Sequence, residues 1–265
     1  MTSAAWESVG SSSEAFKAVN INDAFPYSGA CEIKWSEKKT SARMAPVIGH
    51  APEIQIMKPD GGYEMYYYVA NAKLADGVTL VEGWCNSSGA YADEVNGGDE
   101  MGNVTPGVGL WFRDPEHETP YTTFAGQVMI RDEASIDCTS DWCMRAPAWP
   151  KDLHLNNADE ISFAGLTATY SIKWSEKKTS ARMAPVIGYA PEIQIMKDDG
   201  GYEMYYYVTN AKMADGVTLV EGWCNSSGAY ADEVNGGDEV GTVHVGQAFW
   251  VRTLGAGILT MTLKK

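Results

Sequence analysis

The chain has 265 residues, which is enough to bury a sizeable hydrophobic core as one large domain or two ordinary ones. Hydrophobic residues make up 45% of the chain and charged residues 21%, a balance that excludes a disordered protein. With 35 acidic and 20 basic residues the formal net charge is -15. This charge argues against nucleic acids and anionic membranes as partners, because both require basic protein surface.

Residues 1–18 form a polar N-terminal extension without the basic and apolar stretches of a secretion leader. Either the protein is cytosolic or its leader is absent from this sequence. The five cysteines favour the second alternative, because disulfides persist outside the cytosol. We therefore expect an extracellular or cell-surface protein. No apolar run reaches the roughly 18 residues of a membrane-spanning helix, so we expect no membrane insertion.

The most informative feature of the sequence is an internal repeat. Residues 33–100 and 172–239 align without a gap, and only four of the 68 positions differ. The match continues more loosely on both sides of these segments. The repeat predicts two modules, residues 19–130 and 151–265, each the size of a common single domain. Any site carried by one module is then present twice in the chain.

The hydrophobic pattern within each module predicts short β-strands. The strongest signal is a hairpin whose strands, residues 53–57 and 63–69, flank the turn sequence Pro59-Asp60-Gly61-Gly62. Further strands are predicted around Trp35 and at residues 78–84, 109–113 and 121–129, with equivalents in the second module. These strands favour an all-β fold of two tandem, near-identical antiparallel β-sandwich-like modules.

The second strand of the hairpin carries large side chains on both faces. Tyr63, Met65, Tyr67 and Val69 form the more apolar face, which we expect to point inward. We then expect the other face to be exposed, where its tyrosines could contact a partner protein or stack on sugar rings. With its copy in the second module it consists of Glu64, Tyr66, Tyr68, Glu203, Tyr205 and Tyr207. The alternative is a strand covered on both faces, which leaves no site.

An acidic, glycine-containing loop spans residues 92–100 and is repeated at residues 231–239. Its carboxylates offer oxygen ligands for calcium, although their spacing does not match an EF-hand loop. The candidate calcium ligands are Asp93, Asp99, Asp232 and Asp238. The alternative is a solvated loop, and we predict no other cofactor.

Charge is divided unevenly within the first module. Residues 33–58 carry a net charge of +3, whereas residues 59–100 carry -7. A module with one basic and one acidic region can dock onto its own copy, and such a head-to-tail contact grows a filament because it does not close. The residues proposed for this self-association are Lys34, Lys38, Lys39, Arg43, Asp93, Glu94, Asp99 and Glu100. The alternative is a mixed, solvated surface.

Residues 131–150 separate the two modules and are interpreted as a linker. Cys138 and Cys143 are five positions apart, a spacing that can close a short disulfide loop. The alternative is half of a zinc site, but the four histidines do not lie at ligand spacing. We therefore predict a linker that is stapled by a disulfide and holds no metal.

Catalytic motifs are missing from the sequence. It contains no Gly-x-Ser-x-Gly elbow, no glycine-rich phosphate loop and no His-Glu-x-x-His pattern. In addition, His50 is replaced by Tyr189 in the second copy, so it cannot act as an essential base in both modules. The sequence therefore predicts a protein that is not an enzyme.

The Gly83-Trp84 and Gly222-Trp223 pairs, followed in the second copy by Gly246-Gln-Ala-Phe-Trp-Val251, carry a family resemblance. They resemble a β-rich repeat module of secreted bacterial surface proteins. The resemblance implies β architecture and an extracellular location, and it brings no catalytic residues. The first copy departs from the pattern, since it has Val108-Gly-Leu-Trp111 in place of the second element.

The sequence therefore predicts a secreted or cell-surface structural protein that self-associates, with itself as partner. Head-to-tail filaments are one form that this assembly can take. The alternative is a tandem pair of carbohydrate-binding modules that hold glycans with exposed tyrosines. Nucleic-acid binding is not expected.

Overall fold

The computed structural model describes most of the chain beyond residue 18. The described residues are 19–25, 27, 31–36, 42–44, 47–58, 61–93, 101–105, 107–115, 132–139, 141–175, 181–183, 187–197, 200–231, 241–254 and 259–265. Strand residues make up 51% of them and helical residues 2%, so the all-β prediction is confirmed. None of the helical segments found in these ranges is long and apolar enough to cross a membrane.

The chain divides into two compact units. Unit 1 comprises Met1–Lys58 and Gly62–Ile130, and unit 2 comprises Arg131–Lys265 with Pro59–Gly61. The predicted N-terminal extension, residues 1–18, lies outside the described residues, as does the strand predicted at residues 121–129.

Unit 1 is built on a four-stranded antiparallel sheet. In chain order its elements are β1 (Val19–Asn20), the short helix α1 (Ile21–Ala24), β2 (Lys34–Trp35), β3 (Ala42–Arg43), β4 (Glu53–Met57), β5 (Tyr63–Lys73), β6 (Leu80–Asn86), β7 (Asn103–Val104) and β8 (Leu110–Arg113). The sheet order is β6-β5-β4-β8, and the pairs β1-β7 and β2-β3 form two small ribbons. All of these pairings are antiparallel.

The predicted hairpin is present, with β4 paired to β5 so that Ile54 lies opposite Tyr66. Strand β5 is longer than predicted, because a bulge between Val69 and Ala72 lets it continue its pairing with β6. Strand β6 begins two residues later than predicted. The reason is the turn before it, in which the Asp76 carboxylate accepts the backbone N–H groups of Val78 and Thr79.

Unit 2 has two larger sheets. Its strands are β9 (Glu133–Cys138), β10 (Trp142–Arg145), β11 (Leu153–His154), β12 (Ile161–Ala164), β13 (Lys173–Trp174), β14 (Ala181–Arg182), β15 (Glu192–Met196), β16 (Tyr202–Lys212), β17 (Leu219–Asn225), β18 (Thr242–Val243), β19 (Phe249–Arg252) and β20 (Leu259–Lys264). One sheet has the order β10-β19-β15-β16-β17 and the other β12-β20-β9, with β11-β18 and β13-β14 as ribbons.

The repeated segments form equivalent strands in the two units. Ile193 on β15 lies opposite Tyr205 on β16, which is the same register as Ile54 and Tyr66 in unit 1. The bulge also recurs, between Val208 and Ala211. The repeated sequence therefore determines the same local pairing twice, while the described strands around that core differ between the units.

The interpretation of residues 131–150 as a linker is wrong. Strands β9 and β10 lie in this segment and join different sheets of unit 2, β9 by pairing with β20 and β10 by pairing with β19. The sequence contains a signal for β9, because buried Ala134 and Cys138 alternate with exposed Glu133, Ser135 and Asp137. Unit 2 therefore begins well before residue 151.

The core of unit 1 lies on both faces of its sheet. One cluster surrounds Trp84, which is fully buried, and includes Ile54, Tyr66 and Tyr68. The other cluster, on the opposite face, includes Tyr67, Val69 and Cys85 beneath the segment around Val47. Unit 2 has an equivalent of the second cluster, formed by Ile172, Met183, Ala190, Tyr206, Val208, Ala211 and Cys224. The middle of the long strand is therefore covered on both sides.

One asparagine side chain fastens α1 to the sheet. The Asn22 amide donates to the carbonyl oxygens of Trp84 and Ala92, at 3.2 and 2.7 Å, and its oxygen accepts the Trp84 N–H at 2.7 Å. Asn156 makes the same three bonds to Trp223 and Ala231, at 2.9, 2.8 and 2.9 Å. This clamp (Asn22 in unit 1, Asn156 in unit 2) was not predicted from the sequence.

The clamp explains the glycine of the Gly-Trp element. A Cβ atom on Gly83 would lie 2.4 Å from the Tyr91 ring and 2.7 Å from the Asn22 side-chain oxygen. On Gly222 it would lie 2.5 Å from the Tyr230 ring. Both distances are too short for any side chain, so only glycine allows the asparagine to approach the strand.

We expect Asn22→Ala to lower the free energy of unfolding of unit 1 by about 3 kcal/mol, because it removes the side-chain partner of the buried Trp84 N–H and Ala92 carbonyl oxygen. The matched control is Asp23→Ala, whose side chain is exposed and whose effect should stay below about 0.5 kcal/mol. Urea unfolding monitored by tryptophan fluorescence measures both. Equal, small effects of the two substitutions would contradict the clamp.

Candidate interaction surface

The tyrosines that we predicted to be exposed are not. Tyr66, Tyr68 and Tyr205 are only 1%, 8% and 2% exposed, and Tyr207 is half-buried. The prediction of an outward tyrosine surface is therefore wrong. The physical reason is that covering segments pack on both faces of this part of the sheet, the alternative that the sequence left open.

The hydroxyl groups of these tyrosines instead form hydrogen bonds within their own unit. The Tyr66 hydroxyl donates to Glu64 at 2.7 Å and accepts the Gly102 N–H at 2.6 Å, and Tyr205 makes the same bonds to Glu203 and Gly241. Burial, followed by the hydrogen bond to Glu64, raises the pKa of Tyr66. The two hydroxyls therefore hold the strand to its neighbouring loop at Gly102 and Gly241, while Glu64 and Glu203 bond to the tyrosines from the same strand.

The exposed part of the strand is its beginning, which we predicted to point inward. Tyr63 and Met65 are 39% and 41% exposed. The register places Met65 beside Gln55, which lies beside Trp111 on β8, and places Tyr63 beside Met57. The reason for the exposure is that the second cluster, as far as the described residues define it, reaches only to Tyr67. We call Gln55, Met57, Tyr63, Met65 and Trp111 the unit 1 face.

Unit 2 presents the same set of residues in the same register. Tyr202 and Met204 are 40% and 39% exposed, and Met204 lies beside Gln194, which lies beside Trp250. With Met196, these residues form the unit 2 face. The repeat therefore supplies two copies of one surface rich in tyrosine, methionine and tryptophan.

An ordered ion pair borders the unit 1 face. The Glu53 carboxylate is buried and lies 2.8 Å from the Arg113 guanidinium, and it also accepts a hydrogen bond from the Gln55 amide. In unit 2 Glu192 accepts from Gln194 at 2.6 Å and lies 4.0 Å from Arg252. Because the glutamine amides are held by these carboxylates, both faces are fixed before any partner arrives.

The two faces differ at one edge. In unit 2, β10 pairs with the outer edge of β19, and Trp142 packs against Trp250 with ring centroids 6.3 Å apart. In unit 1 the equivalent strand, β8, is the last in its sheet, and no strand in the described part of the chain pairs with its outer edge. The two units therefore differ in the described neighbours of this strand edge.

None of the five cysteines, all of which lie in the described residues, forms a disulfide in this structure, so the predicted Cys138–Cys143 disulfide is not seen. Both thiols are buried, and they contact each other, since a hydrogen bond with Cys143, together with burial, raises the pKa of Cys138. They lie where the chain passes from β9 to β10. The five-residue spacing therefore brings the two thiols together, but the structure contains no disulfide between them.

The remaining predicted site residues fall mostly outside the described part of the chain. Lys38, Lys39, Glu94, Asp99, Glu100, Asp232 and Asp238 lie there. Of the others, Lys34 and Arg43 lie opposite each other on the β2-β3 ribbon and are both exposed, and Asp93 is half-buried. Among the residues that the structure does describe, no group of histidine, cysteine or acidic side chains is placed to hold a metal. The calcium and charge-complementarity predictions stay predictions.

Unit 2 carries a polar cluster that sequence reasoning missed. The His154 ring lies 2.8 Å from Glu160, which is also 3.5 Å from Lys151, and the His244 ring lies 3.2 Å from Asp152. Burial opposes ionisation of Glu160, but the His154 N–H and ring and the Lys151 charge hold its pKa below the usual value. The cluster stabilises the β11-β18 region of unit 2.

Comparisons with known proteins add no family to this geometry. No family model, curated protein or solved structure matches the chain. The resemblance to secreted bacterial surface modules, and with it the extracellular location, therefore stays a prediction. Function must be inferred from the surface itself.

We expect thiol labelling of the reduced, folded chain at pH 8 to modify Cys31 first, because it is only half-buried. Burial raises the pKa of Cys85 and Cys224 to about 12, so neither should react until the chain unfolds. Intact-mass analysis after maleimide treatment counts the labels. Five labels in denaturant would agree with five free thiols, whereas only three would show that a disulfide had formed.

We expect Glu160→Gln to lower the free energy of unfolding of unit 2 at pH 7 by about 1 kcal/mol. Because the pKa of Glu160 is lower in the folded chain than in the unfolded one, its stabilising effect is complete above the unfolded pKa. The effect should disappear as the pH falls below about 4, through the folded value. Urea unfolding at several pH values measures it, with exposed Asp159→Asn as the control. A pH-independent difference would contradict this account.

Proposed function

We propose that this protein is a structural protein that self-associates through two copies of one exposed sheet face, one in each unit. The observation that supports the proposal is the recurrence of the same residues, register and exposure at Tyr63 and Met65 and at Tyr202 and Met204. The proposal keeps the self-association predicted from the sequence and assigns it to a different surface.

The composition of the two faces suits a protein interface. Tyrosine, tryptophan and methionine are the residues enriched at the centres of such interfaces. Methionine adapts its shape to a partner at little cost, and tyrosine contributes a large contact area with few rotatable bonds. The faces lie on paired strands and next to fixed carboxylates, so little conformational entropy is lost when they bind.

Two faces per chain make the assembly open-ended. A face that meets its own copy forms a two-fold contact, and one such contact per chain would stop at a dimer. A chain with two such faces can add one copy through each face, so the assembly can continue to grow. The net charge of -15 opposes close approach of copies, so salt should favour contacts through these faces. The proposal also includes an extracellular or cell-surface location, for which the sequence pattern is the support.

Carbohydrate binding is not proposed further. That alternative depended on exposed tyrosine rings, and Tyr66, Tyr68 and Tyr205 have no exposed ring face to offer a sugar. No observation in the described residues favours an enzyme over an assembly protein.

We expect the full chain at micromolar concentration to form oligomers larger than dimers. The pair Tyr63→Lys and Met65→Lys, or the equivalent pair Tyr202→Lys and Met204→Lys, should limit assembly to dimers, because each pair places charge on one face. The four substitutions together should give a monomer. Size-exclusion chromatography with multi-angle light scattering measures the masses, and circular dichroism confirms that each variant is folded.

The matched control is Val78→Lys with Val217→Lys, which adds the same charge at positions that are 65% and 64% exposed but lie in turns outside the faces. This variant should assemble like the original chain. A wild-type monomer, or equal masses for face and control variants, would refute the proposal. Loss of assembly in about 1 M salt would instead assign it to charge complementarity.

A further inference from the structure

The two faces carry thioether groups, which mild oxidants convert to sulfoxides. Among the methionines that the structure describes, only Met65 and Met204 are exposed, at 41% and 39%. Met57 and Met196, the other methionines of the faces, are half-buried. The described methionines outside the faces are half-buried or buried, and Met44 is only 7% exposed. Of the described methionines, a peroxide in solution therefore meets Met65 and Met204 first.

The sulfur atoms of these two methionines lie at equivalent points. The Tyr67 hydroxyl donates to the Met65 sulfur over 3.9 Å, and the Tyr206 hydroxyl donates to the Met204 sulfur over 3.7 Å. Both tyrosine side chains are buried, at 2% and 0% exposure, so packing fixes the positions of their rings. Each sulfur is therefore held at a defined position on its face.

Met65 adjoins the other residues of the unit 1 face. It lies opposite Gln55 and two residues from Tyr63, so that all three side chains point to the same side of the sheet. Met204 has the equivalent neighbours in the unit 2 face. A partner copy that covers either face therefore also covers its exposed methionine.

Oxidation by a peroxide changes the chemistry of this surface. The sulfur lone pair attacks one oxygen of hydrogen peroxide, the O–O bond breaks, and that oxygen stays on the sulfur. The sulfur loses two electrons, and the peroxide is reduced to water. The product is a sulfoxide, which turns an apolar side chain into a polar one. Burying this oxygen against the apolar groups of a partner copy costs free energy, because it loses its hydrogen bonds to water.

We propose that Met65 and Met204 are oxidation sites that switch self-association off, with hydrogen peroxide as the oxidant. This inference rests on the self-association proposed above. Because each face carries one exposed methionine, oxidation of one methionine disables one face, and oxidation of both gives a monomer. The switch is reversible, since a sulfoxide reductase supplied with a dithiol removes the oxygen as water and leaves a disulfide in the reductant.

Assembly and oxidation oppose each other in this scheme. In an assembled chain the partner copy covers both methionines, so peroxide reaches them only while a face is free. Each oxidation then removes a free face from the binding equilibrium, and the remaining contacts dissociate by mass action. Dilute chains are therefore switched off faster than concentrated ones.

The first test compares the oxidised and the untreated full chain. Brief treatment of the dilute chain with hydrogen peroxide should oxidise Met65 and Met204 ahead of Met57 and Met196, which peptide mass spectrometry measures. After the peroxide is removed, light scattering should show monomers at concentrations where the untreated chain forms oligomers larger than dimers. We expect each contact to weaken at least about tenfold. The two methionine sulfoxide reductases, one for each epimer, should restore assembly in the presence of dithiothreitol.

The second test uses matched variants. Met65→Leu with Met204→Leu keeps the size and apolar character of the faces but removes the oxidisable sulfur, so this variant should assemble with or without peroxide treatment. Met57→Leu with Met196→Leu removes the half-buried methionines of the same faces and should stay sensitive to peroxide. Circular dichroism confirms that each variant is folded before and after treatment.

Three results would overturn the proposal. One is an oxidised chain that assembles like the untreated chain, and another is preferential oxidation of the half-buried methionines. The third is dissociation of the Met65→Leu and Met204→Leu variant by peroxide, because other residues would then be responsible. Failure of the self-association proposal would be seen separately, since the untreated chain would already be a monomer, and the switch would fail with it.

Discussion

The hydrogen bonds of one asparagine side chain in each unit hold a covering layer onto the central sheet. Asn22 reaches the main chain of Trp84, which is fully buried and has no access to water. Ile21, Ala24 and Phe25 of this covering layer pack on the face of the sheet that carries Ile54, Tyr66 and Tyr68. On the opposite face the described covering residues reach only to Tyr67, and Tyr63 and Met65 beyond it are exposed. The proposed interaction surface lies on this second face.

The local structure was predictable, whereas the exposure of side chains was not. The β4-β5 hairpin follows from alternation and turn residues within a short segment, and it is present where it was predicted. The tyrosines were assigned to the wrong faces because their burial depends on segments that pack from far along the chain, such as Val47 over Tyr67. Similarly, β10 was interpreted as linker because its partner, β19, lies about 100 residues later. A single sequence does not show such pairings.

Near-identical sequence has produced equivalent strands with different neighbours. Strands β8 and β19 pair inward in the same register, yet only β19 has a described partner on its outer edge. The segment that supplies this partner, β10, lies near the start of unit 2 and has no close counterpart in the repeat. Duplication therefore preserved the face in both units, while the described neighbours of the strand edge differ between them.

The most direct test of the central claim is the rate of methionine oxidation by hydrogen peroxide at increasing chain concentration. If copies meet through the two faces, Met65 and Met204 should oxidise quickly in dilute solution and become protected as assembly proceeds. Met44 and Met183, which are 7% exposed, serve as internal references that stay slow at every concentration. Rates at Met65 and Met204 that do not change with concentration, in a chain shown to be assembled, would contradict the account.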